Sequence, residues 1–422
     1  MKKIYADYNA STPLHPEVIK YLHQRLDLNL WANPNSAHQL GKMLMTAINK
    51  CRLICSEILG IEAGNLIFTS GASEGIATIF HAICANKNLG RNLEKNILVI
   101  SAIEHPAVKA SANYYKNFGY KVIEWPVNSN GEIEIEFIKS DLDNIKDKIA
   151  LIAVMYANNE CGVIEPIENI GEFCQQHAIP FFSDTTQYIA KEDFNFNKLP
   201  IDFAVLSAHK FAGPLGVGAL LVKPAYKNFI KENALIFGGG QEFALRAGTQ
   251  NYLGIEAMCV ALSASVEESR QTKNLFHKFR LQFENELTKK YKKIVILGGD
   301  ANRRLSQTTL LSYPGIYGPL IQQELESKNI FVSTSAACSE QKEKPSPSLS
   351  SSLSSLSSLS SSSIQSTANT IANLMGFSDD VARGMVRISL GGIKENEIDE
   401  IYQKIYSELV YSIDKLSKIG SY

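Results

Sequence analysis

The sequence lacks an excess of either charge sign, a long apolar run and any paired cysteine motif. Its 42 Lys and Arg residues nearly balance its 43 Asp and Glu residues over 422 positions, so no net field would attract nucleic acid or an anionic membrane surface. Apolar stretches such as IALIAVMYA are too short to span a bilayer, and no apolar segment follows the lysines of MKKIYADYNAS. These absences predict a cytoplasmic, soluble protein that binds small molecules and other proteins, with no direct nucleic-acid or membrane contact.

The seven cysteines are an odd number, and none forms a CxxC pair or a cysteine–histidine spacing suited to zinc. Structural disulfides and a metal site are therefore not expected. Five cysteines lie in apolar helical patterns, where a small buried hydrophobe is the simplest role: Cys51, Cys55, Cys84, Cys174 and Cys259. Cys338 lies in a different context, the segment VSTSAACSEQ.

Short apolar β-rich runs alternate with helical periods from residue 60 to about 223. The run NLIFTSG, for example, precedes the helical spacing of Ile76, Ile79 and Ile83. Strand and helix in alternation predict an α/β domain with a mainly parallel sheet and helices on both faces. Such sheets bind ligands at the carboxyl ends of their strands. Polar residues that follow the strands are therefore the candidates for function.

A second, smaller α+β domain is predicted toward the C-terminus. A long helix is expected over 252–291 and another near 395–418, with short strands between them. We assign residues 1–15 to an N-terminal arm packing on the small domain, 16–260 to the large domain and 261–422 to the small domain.

The stretch 346–363 contains 13 serines and four leucines. It has too little apolar area to offset the entropy of ordering, so a disordered loop is predicted. Leu349, Leu353 and Leu356 share a helical spacing, and the alternative is a weak amphipathic helix that orders on a partner.

Lys210 and Asp184 are the first candidate pair for catalysis. Lys210 closes SAHK after one apolar strand, and Asp184 ends the preceding strand in SDTTQ. Both side chains are expected at the same edge of the sheet. A carboxylate there can pair with the protonated pyridine nitrogen of pyridoxal phosphate, while the lysine forms a Schiff base with its aldehyde. Without that context, a lysine after a strand would be a solvated surface group.

Other polar groups follow neighbouring strands. The segment FTSGASEG joins a strand, a glycine turn and a helix start at Ser73 whose free N–H groups suit a phosphate, although Ser73 could serve only as an N-cap. His105 in SAIEHPAV could stack on the cofactor ring and move a proton, although a lone histidine is more often structural. Asn159 and Gln187 could bind the phenolic oxygen, or could be ordinary loop residues.

Ten blocks in order resemble those of cysteine desulfurases of the NifS/IscS type, which are class V aminotransferase-like enzymes of PLP fold type I. The blocks are DYNASTPLHPEV, NPNSAHQLGK, FTSGASE, EHPAV, NNECGVIEP, DTTQ, SAHKFAGPLGVGAL, GGGQEFALRAGTQN, VSTSAACS and VRISLGG. The resemblance implies a seven-stranded, mainly parallel sheet in the large domain, a smaller α+β C-terminal domain and an obligate homodimer. The SAAC and GGGQE blocks favour the long-loop group I over the SufS-like group.

The resemblance also implies roles for individual residues. Lys210 would be the Schiff-base lysine, Asp184 the pyridinium partner and His105 the stacking acid/base. Gln187 and Asn159 would contact the phenolate side, and Asn159 also the substrate. The phosphate would be held by Ala72, Ser73, Ser207 and His209, and by Thr249 of the opposite subunit.

Two further residues would act on the substrate. By the same resemblance Arg387 in VRISLGG binds the α-carboxylate, a role that suits its planar fork. Cys338, on a loop at about 333–345, would attack the sulfur of cofactor-bound L-cysteine, leaving a persulfide and releasing L-alanine. The expected function is a sulfurtransferase that feeds an acceptor or scaffold protein in iron–sulfur cluster assembly or tRNA thiolation.

The chain departs from the family pattern near the predicted nucleophile. Ser335 and Ala336 stand where relatives usually carry Gly-Ser, a change that affects the hinge of the loop, and the serine-rich stretch is inserted soon after it. Two alternatives to a desulfurase stay open. One is a selenocysteine lyase or another PLP β-eliminating lyase, and the other is an inactive PLP-fold scaffold for sulfur carriers.

Overall fold

The computed structural model describes residues 3–85, 95–136, 142, 144–334 and 370–419. Its strands are β1 (Ile4–Tyr5), β2 (Leu66–Thr69), β3 (Ile97–Ser101), β4 (Lys121–Trp125), β5 (Ile149–Ala153), β6 (Phe181–Asp184), β7 (Phe203–Ser207), β8 (Gly218–Val222), β9 (Val295–Leu297), β10 (Thr308–Ser312), β11 (Ile330–Phe331) and β12 (Met385–Ser389). Its helices are α1 (Pro16–Asp27), α2 (Gln39–Leu59), α3 (Ala72–Ala85), α4 (Pro106–Lys116), α5 (Ile167–Gln176), α6 (Lys227–Glu232), α7 (Tyr252–Lys290), α8 (Gly318–Ser327), α9 (Ile371–Leu374), α10 (Asp379–Arg383) and α11 (Ile398–Ile419).

The large sheet has seven strands in the order β2-β8-β7-β6-β5-β3-β4. Strand β8 is antiparallel to both neighbours, and the remaining pairs are parallel. Every residue of β3, β5 and β7 is buried, which explains why these strands are continuous apolar runs. Val99 packs into the core on one face, whereas Leu98 and Ile100 pack into the core on the other. The predicted α/β class with a mainly parallel sheet is confirmed.

A second core surrounds an antiparallel sheet of order β12-β10-β9. The long helix α7 reaches both cores, because Ile255 and Leu262 pack against the large sheet while Phe276 and Phe283 pack in the second core. The helix predicted over 252–291 is therefore present as one continuous element. The assigned boundary between residues 260 and 261 falls inside it, and the division into domains stays a prediction.

The N-terminal arm contacts both cores through its residues Ile4–Thr12. Strand β1 pairs in parallel with β11, and Asp7 forms a bridge with Ser389 at the end of β12. Farther along the arm, the backbone N–H of Thr12 donates to the carbonyl of His209, beside the large sheet. The arm therefore passes over the carboxyl ends of the strands, where the candidate residues lie.

Cys338 and the serine-rich stretch 346–363 lie outside the described residues. Within the part of the chain that is described, no helix is both long enough and apolar enough to cross a membrane.

Candidate active site

Lys210 lies directly after β7, in a single 3-10 turn. Its Nζ donates hydrogen bonds of 2.8 Å to the carbonyl oxygens of both Asn9 and Ala10. The arm thus covers the amine, and two backbone acceptors hold it.

Asp184 is the last residue of β6, which pairs with β7, and the residue is 5% exposed. Its Oδ1 accepts a 3.0 Å hydrogen bond from the backbone N–H of Thr186. The intervening Thr185 turns away, because its Oγ1 donates to the carbonyl of Val205 at 2.7 Å. The carboxylate is therefore fixed at the edge of the sheet that also carries Lys210, as predicted from the neighbouring strands.

His105 is the N-cap of α4, where Pro106 occupies the first turn. Its Nδ1 accepts from the backbone N–H of Ala107 at 3.2 Å, so in the neutral ring the proton is on Nε2. Burial lowers the pKa of His105. The charge of Asp184 acts to raise this pKa and that of Lys210 to lower it. Because the charges of Asp184 and Lys210 both act on the imidazole of His105, the three predicted residues lie near one another.

The start of α3 meets the end of β7. The backbone N–H of Ala72 donates to Oγ of Ser207 at 2.9 Å. A Cβ on Gly71, whose φ is +155°, would lie 3.1 Å from the same oxygen. Small residues thus let the turn, the hydroxyl and the helix N-terminus lie close together in one corner, with Ser73 exposed in the first turn.

His209 lies between this corner and the arm. Its Nδ1 is 3.3 Å from Oγ of Ser11, and burial, together with the charge of Lys210, lowers its pKa to about 4. The ring is therefore neutral near pH 7 and acts through hydrogen bonds.

Thr249 is exposed, on a segment anchored to α3. Arg246 of that segment donates from Nε to Oε1 of Glu74 at 2.8 Å, and Oε2 of Glu74 accepts from the backbone N–H of Ser70. Burial opposes ionisation of Glu74, yet these hydrogen bonds lower its pKa. The segment carrying Thr249 is thereby held next to the turn that precedes α3.

Arg387 lies on β12 with only 2% of its surface exposed. Nη2 donates to Oδ1 of Asp7 at 2.6 Å and Nη1 donates to the carbonyl of Asn159 at 3.0 Å. Nε is buried and has no hydrogen-bond partner among the described residues. Arg387 is thus not part of a surface ion pair, and it keeps one buried donor for an anionic ligand.

Asn9 is a central residue of the site that the sequence patterns did not single out. It is 1% exposed, and its carbonyl accepts from Nζ of Lys210 and, at 2.8 Å, from Nε2 of Gln187. Its Nδ2 donates to the carbonyl of Asn159 at 3.1 Å, which also accepts from Arg387. The one signal in the sequence was its position inside the block DYNASTPLHPEV.

The chain leaves the described region toward Cys338 right beside Arg387. Ser333 and Arg387 form an antiparallel bridge with hydrogen bonds of 3.2 and 2.6 Å between their backbones, and the described segment ends at Thr334. The described chain therefore ends beside the predicted carboxylate-binding residue, four residues before Cys338 in the sequence.

Comparison with known proteins gives a consistent result. Residues 4–397 match the class-V aminotransferase family. The chain is 33% identical over 405 residues to the cysteine desulfurase IscS of Clostridium botulinum (strain Hall). The aligned region covers 95% of this chain and 93% of that protein. Among solved structures, a NifS-like protein superposes with a TM-score of 0.79 at 28% identity, covering 97% of this chain and 100% of that one. The structure of SspA in complex with cysteine gives a TM-score of 0.72 at 27% identity, covering 93% and 100%.

The match spans both cores and includes the sheet edge at which Lys210, Asp184 and His105 meet. The chain therefore belongs to the class-V aminotransferase family of pyridoxal-phosphate enzymes and, within it, groups with the cysteine desulfurases.

Proposed function

We propose that the protein takes sulfur from L-cysteine, leaves it as a persulfide on Cys338 and releases L-alanine. The observation that carries this proposal is the meeting of Lys210, Asp184 and His105 at one sheet edge, with the buried Arg387 tied to the same arm. SspA, a structural neighbour, was solved in complex with cysteine. The sulfur would pass to an acceptor or scaffold protein in iron–sulfur cluster assembly or tRNA thiolation.

The side chains at this edge fit pyridoxal phosphate by their chemistry. Lys210 would bind the aldehyde, the buried Asp184 would pair with the protonated ring nitrogen, and His105 would stack on the ring. When bound, the cofactor supplies an electron sink for the bonds at the substrate's α-carbon. Asn159 and Gln187 would serve the phenolic oxygen, and Asn159 also the substrate.

The corner at the start of α3 fits the phosphate. It offers the free N–H groups of a helix of 14 residues and the hydroxyl of Ser207. Ala72, Ser73 and His209 would complete the set. A Cβ on Gly71 would approach Ser207, which supports a close approach of the anion to the backbone.

Proton transfer would use groups that are already placed. The neutral ring of His105 presents a proton at Nε2, because Nδ1 is held by the backbone of Ala107. The amine of Lys210, when not bound to cofactor, is held as a donor by the carbonyls of Asn9 and Ala10. Arg387 would bind the α-carboxylate, and its buried Nε would be one of the donors to the carboxylate oxygens.

The sulfur step would use the thiolate of Cys338 as nucleophile. Its Sγ would attack the substrate's sulfur, so that an S–S bond forms as the Cβ–S bond breaks. The three-carbon remainder would take up a proton at Cβ and leave as alanine, and atoms and electrons balance without a further oxidant. The attachment of this segment beside Arg387 supports the proposed approach.

We further propose a cytoplasmic homodimer in which Thr249 contacts the phosphate of the opposite subunit. Large apolar side chains are exposed near Thr249, including Ile236, Phe237 and Phe243, and exposed apolar groups of this kind favour a protein partner. Mixed dimers test the arrangement. A Lys210→Ala chain paired with a Thr249→Val chain retains one intact site, whereas the double variant paired with wild type retains none.

The central experiment measures alanine and sulfide release from L-cysteine by the protein loaded with pyridoxal phosphate in the presence of a reductant. Cys338→Ala and Lys210→Ala should each abolish both products, and Cys51→Ala, on α2, is the matched cysteine control. Undiminished alanine release by Cys338→Ala would favour the lyase alternative. A silent wild type, even with candidate acceptor proteins, would favour the scaffold.

A further inference from the structure

Lys191 is a lysine whose amine is enclosed next to the candidate active site. Its Nζ donates to Oε1 of Gln187 at 2.5 Å and to Oδ1 of Asn9 at 3.3 Å. Burial, together with the charges of Lys210 and Arg387, lowers the pKa of Lys191 to about 7. Burying an amine near other cations costs free energy of folding. We therefore expect this side chain to serve a function at the site.

The backbone around Lys191 is firmly anchored. Its carbonyl oxygen accepts a 2.8 Å hydrogen bond from Oγ of Ser269 on α7, and the preceding Ala190 has a φ of +64°. The next residue, Glu192, forms an ion pair with Lys273 of the same helix. The side chain is therefore directed inward by a segment that is fixed on both sides.

The contacts of Gln187 define which end of its amide is which. Nζ of Lys191 donates to this amide, and in its protonated form it can only donate, so the end that faces Lys191 is the oxygen, Oε1. A backbone carbonyl only accepts, so the end that faces the carbonyl of Asn9 is the nitrogen, Nε2. If the amide were flipped, its NH₂ group would face the donor Nζ of Lys191 and its oxygen would face the carbonyl oxygen of Asn9. Neither contact would be a hydrogen bond.

The donor end of Gln187 faces the cofactor side. Nε2 shares its acceptor, the carbonyl of Asn9, with Nζ of Lys210, the atom that would bind the aldehyde. In pyridoxal phosphate the phenolic oxygen is on the ring carbon next to the one that bears the aldehyde. A donor near Nζ of Lys210 is therefore near the phenolic oxygen, and Lys191 acts on the opposite end of the same amide.

We propose that Lys191 is a positioning residue, which holds Oε1 of Gln187 so that Nε2 stays available to the phenolic oxygen of the cofactor. This role rests on the proposed cofactor site and extends it by one residue. Lys191 itself touches neither substrate nor cofactor in this arrangement.

The test is a double-mutant cycle on the cofactor-loaded protein, read from the pH titration of its absorption band. A donor to the phenolic oxygen stabilises the deprotonated form, so Gln187→Ala should raise the midpoint by about one pH unit. Lys191→Met should raise it in the same direction, because the amide is no longer held. The double variant should shift no further than Gln187→Ala alone, since coupled residues are not additive.

Lys223→Met is the matched control, because it removes another partly buried lysine, whose Nζ donates to the carbonyls of Phe196 and Asn197 rather than to Gln187. This variant should titrate like wild type. A wild-type midpoint in Lys191→Met, or a shift that adds fully to that of Gln187→Ala, would overturn the proposal. Should Lys191→Met fail to fold, Lys191→Ala takes its place, because it also removes the donor. A midpoint raised toward that of Gln187→Ala supports positioning, and a wild-type midpoint contradicts it.

The readout separates this proposal from the proposed function. The titration needs bound pyridoxal phosphate but no turnover of L-cysteine. A protein that binds the cofactor and releases no alanine would therefore contradict the desulfurase activity and leave the cycle on Lys191 and Gln187 fully interpretable.

Discussion

Arg387 donates a 2.6 Å hydrogen bond from Nη2 to Oδ1 of Asp7, a residue 380 positions away in the sequence. The carbonyl of Asn159 accepts from Nη1 on another side of the guanidinium. Both contacts fix the plane of the fork, and the buried Nε keeps its hydrogen for a ligand. The arm thus neutralises and orients the cation that would receive the substrate's carboxylate.

Arg387→Lys should raise KM for L-cysteine roughly ten- to hundredfold, because an ammonium cannot reproduce two parallel donors to one carboxylate. The cofactor titration should stay close to that of wild type. Steady-state kinetics measure the effect, and Arg303→Lys, at an exposed ion pair with Glu168, is the control. An unchanged KM would remove Arg387 from substrate binding.

His209→Gln should reduce the fall in the free energy of unfolding as the pH drops from 7 to 5. The pKa of His209 is lowered from 6.5 to about 4 in the folded protein, so between these values the unfolded chain binds more protons. The free energy of unfolding therefore falls as the pH drops through this window. Denaturant unfolding at pH 7, 6 and 5, at equal cofactor saturation, should show a smaller loss for the variant. Equal losses would contradict the assignment.

Glu165→Gln should gain stability over wild type as the pH rises from 5 to 8. Burial raises the pKa of Glu165 from 4.5 to about 8, and its Oε2 accepts from the backbone N–H of Ile133 at 2.9 Å. The folded protein keeps this proton where the unfolded chain has lost it, so the free energy of unfolding falls with rising pH. Glutamine has nearly the same shape and does not titrate.

Unfolding midpoints across that range measure the difference. Glu168→Gln, at the partly exposed ion pair with Arg303, is the control and should run parallel to wild type. A Glu165→Gln curve that also stays parallel would contradict the raised pKa.

Gly218→Ala should weaken both the fold and cofactor retention. A Cβ there would lie 2.3 Å from the carbonyl oxygen of Leu206 and 2.7 Å from Cα of Gly71. Both are backbone atoms, so β8 or the turn before α3 must move, with a loss of roughly 1–3 kcal/mol in the free energy of unfolding. Gly240→Ala, whose Cβ would meet nothing within 4 Å, should match wild type. Melting curves and cofactor dissociation distinguish the two.

The sequence predicted those parts of the structure that follow from periodicity. Fully apolar runs became the buried strands of the large sheet, and the helical pattern from residue 252 became α7. The meeting of Asp184 with Lys210 also followed, because the ends of adjacent parallel strands share one edge. The individual roles inferred from the resemblance stay predictions.

The contacts made by Asn9, Asp7 and Lys191 could not be predicted in this way. They depend on the path of the arm, which brings Asn9 to Gln187 across 178 residues of sequence. An asparagine in a turn and a lysine after a glutamine look ordinary in isolation. Only the folded chain shows that their polar atoms are enclosed and matched as donor and acceptor.

The path of the arm also determines when the site can form. Ile4 and Tyr5 come before the large sheet in the sequence, yet they pair with Ile330 and Phe331, while Asp7 bridges to Ser389. Contacts of such long range are slow to close, and on the ribosome their partners are made after all the strands of the large sheet. The large sheet can assemble early, whereas the environment of Lys210 is completed only once β12 has been made.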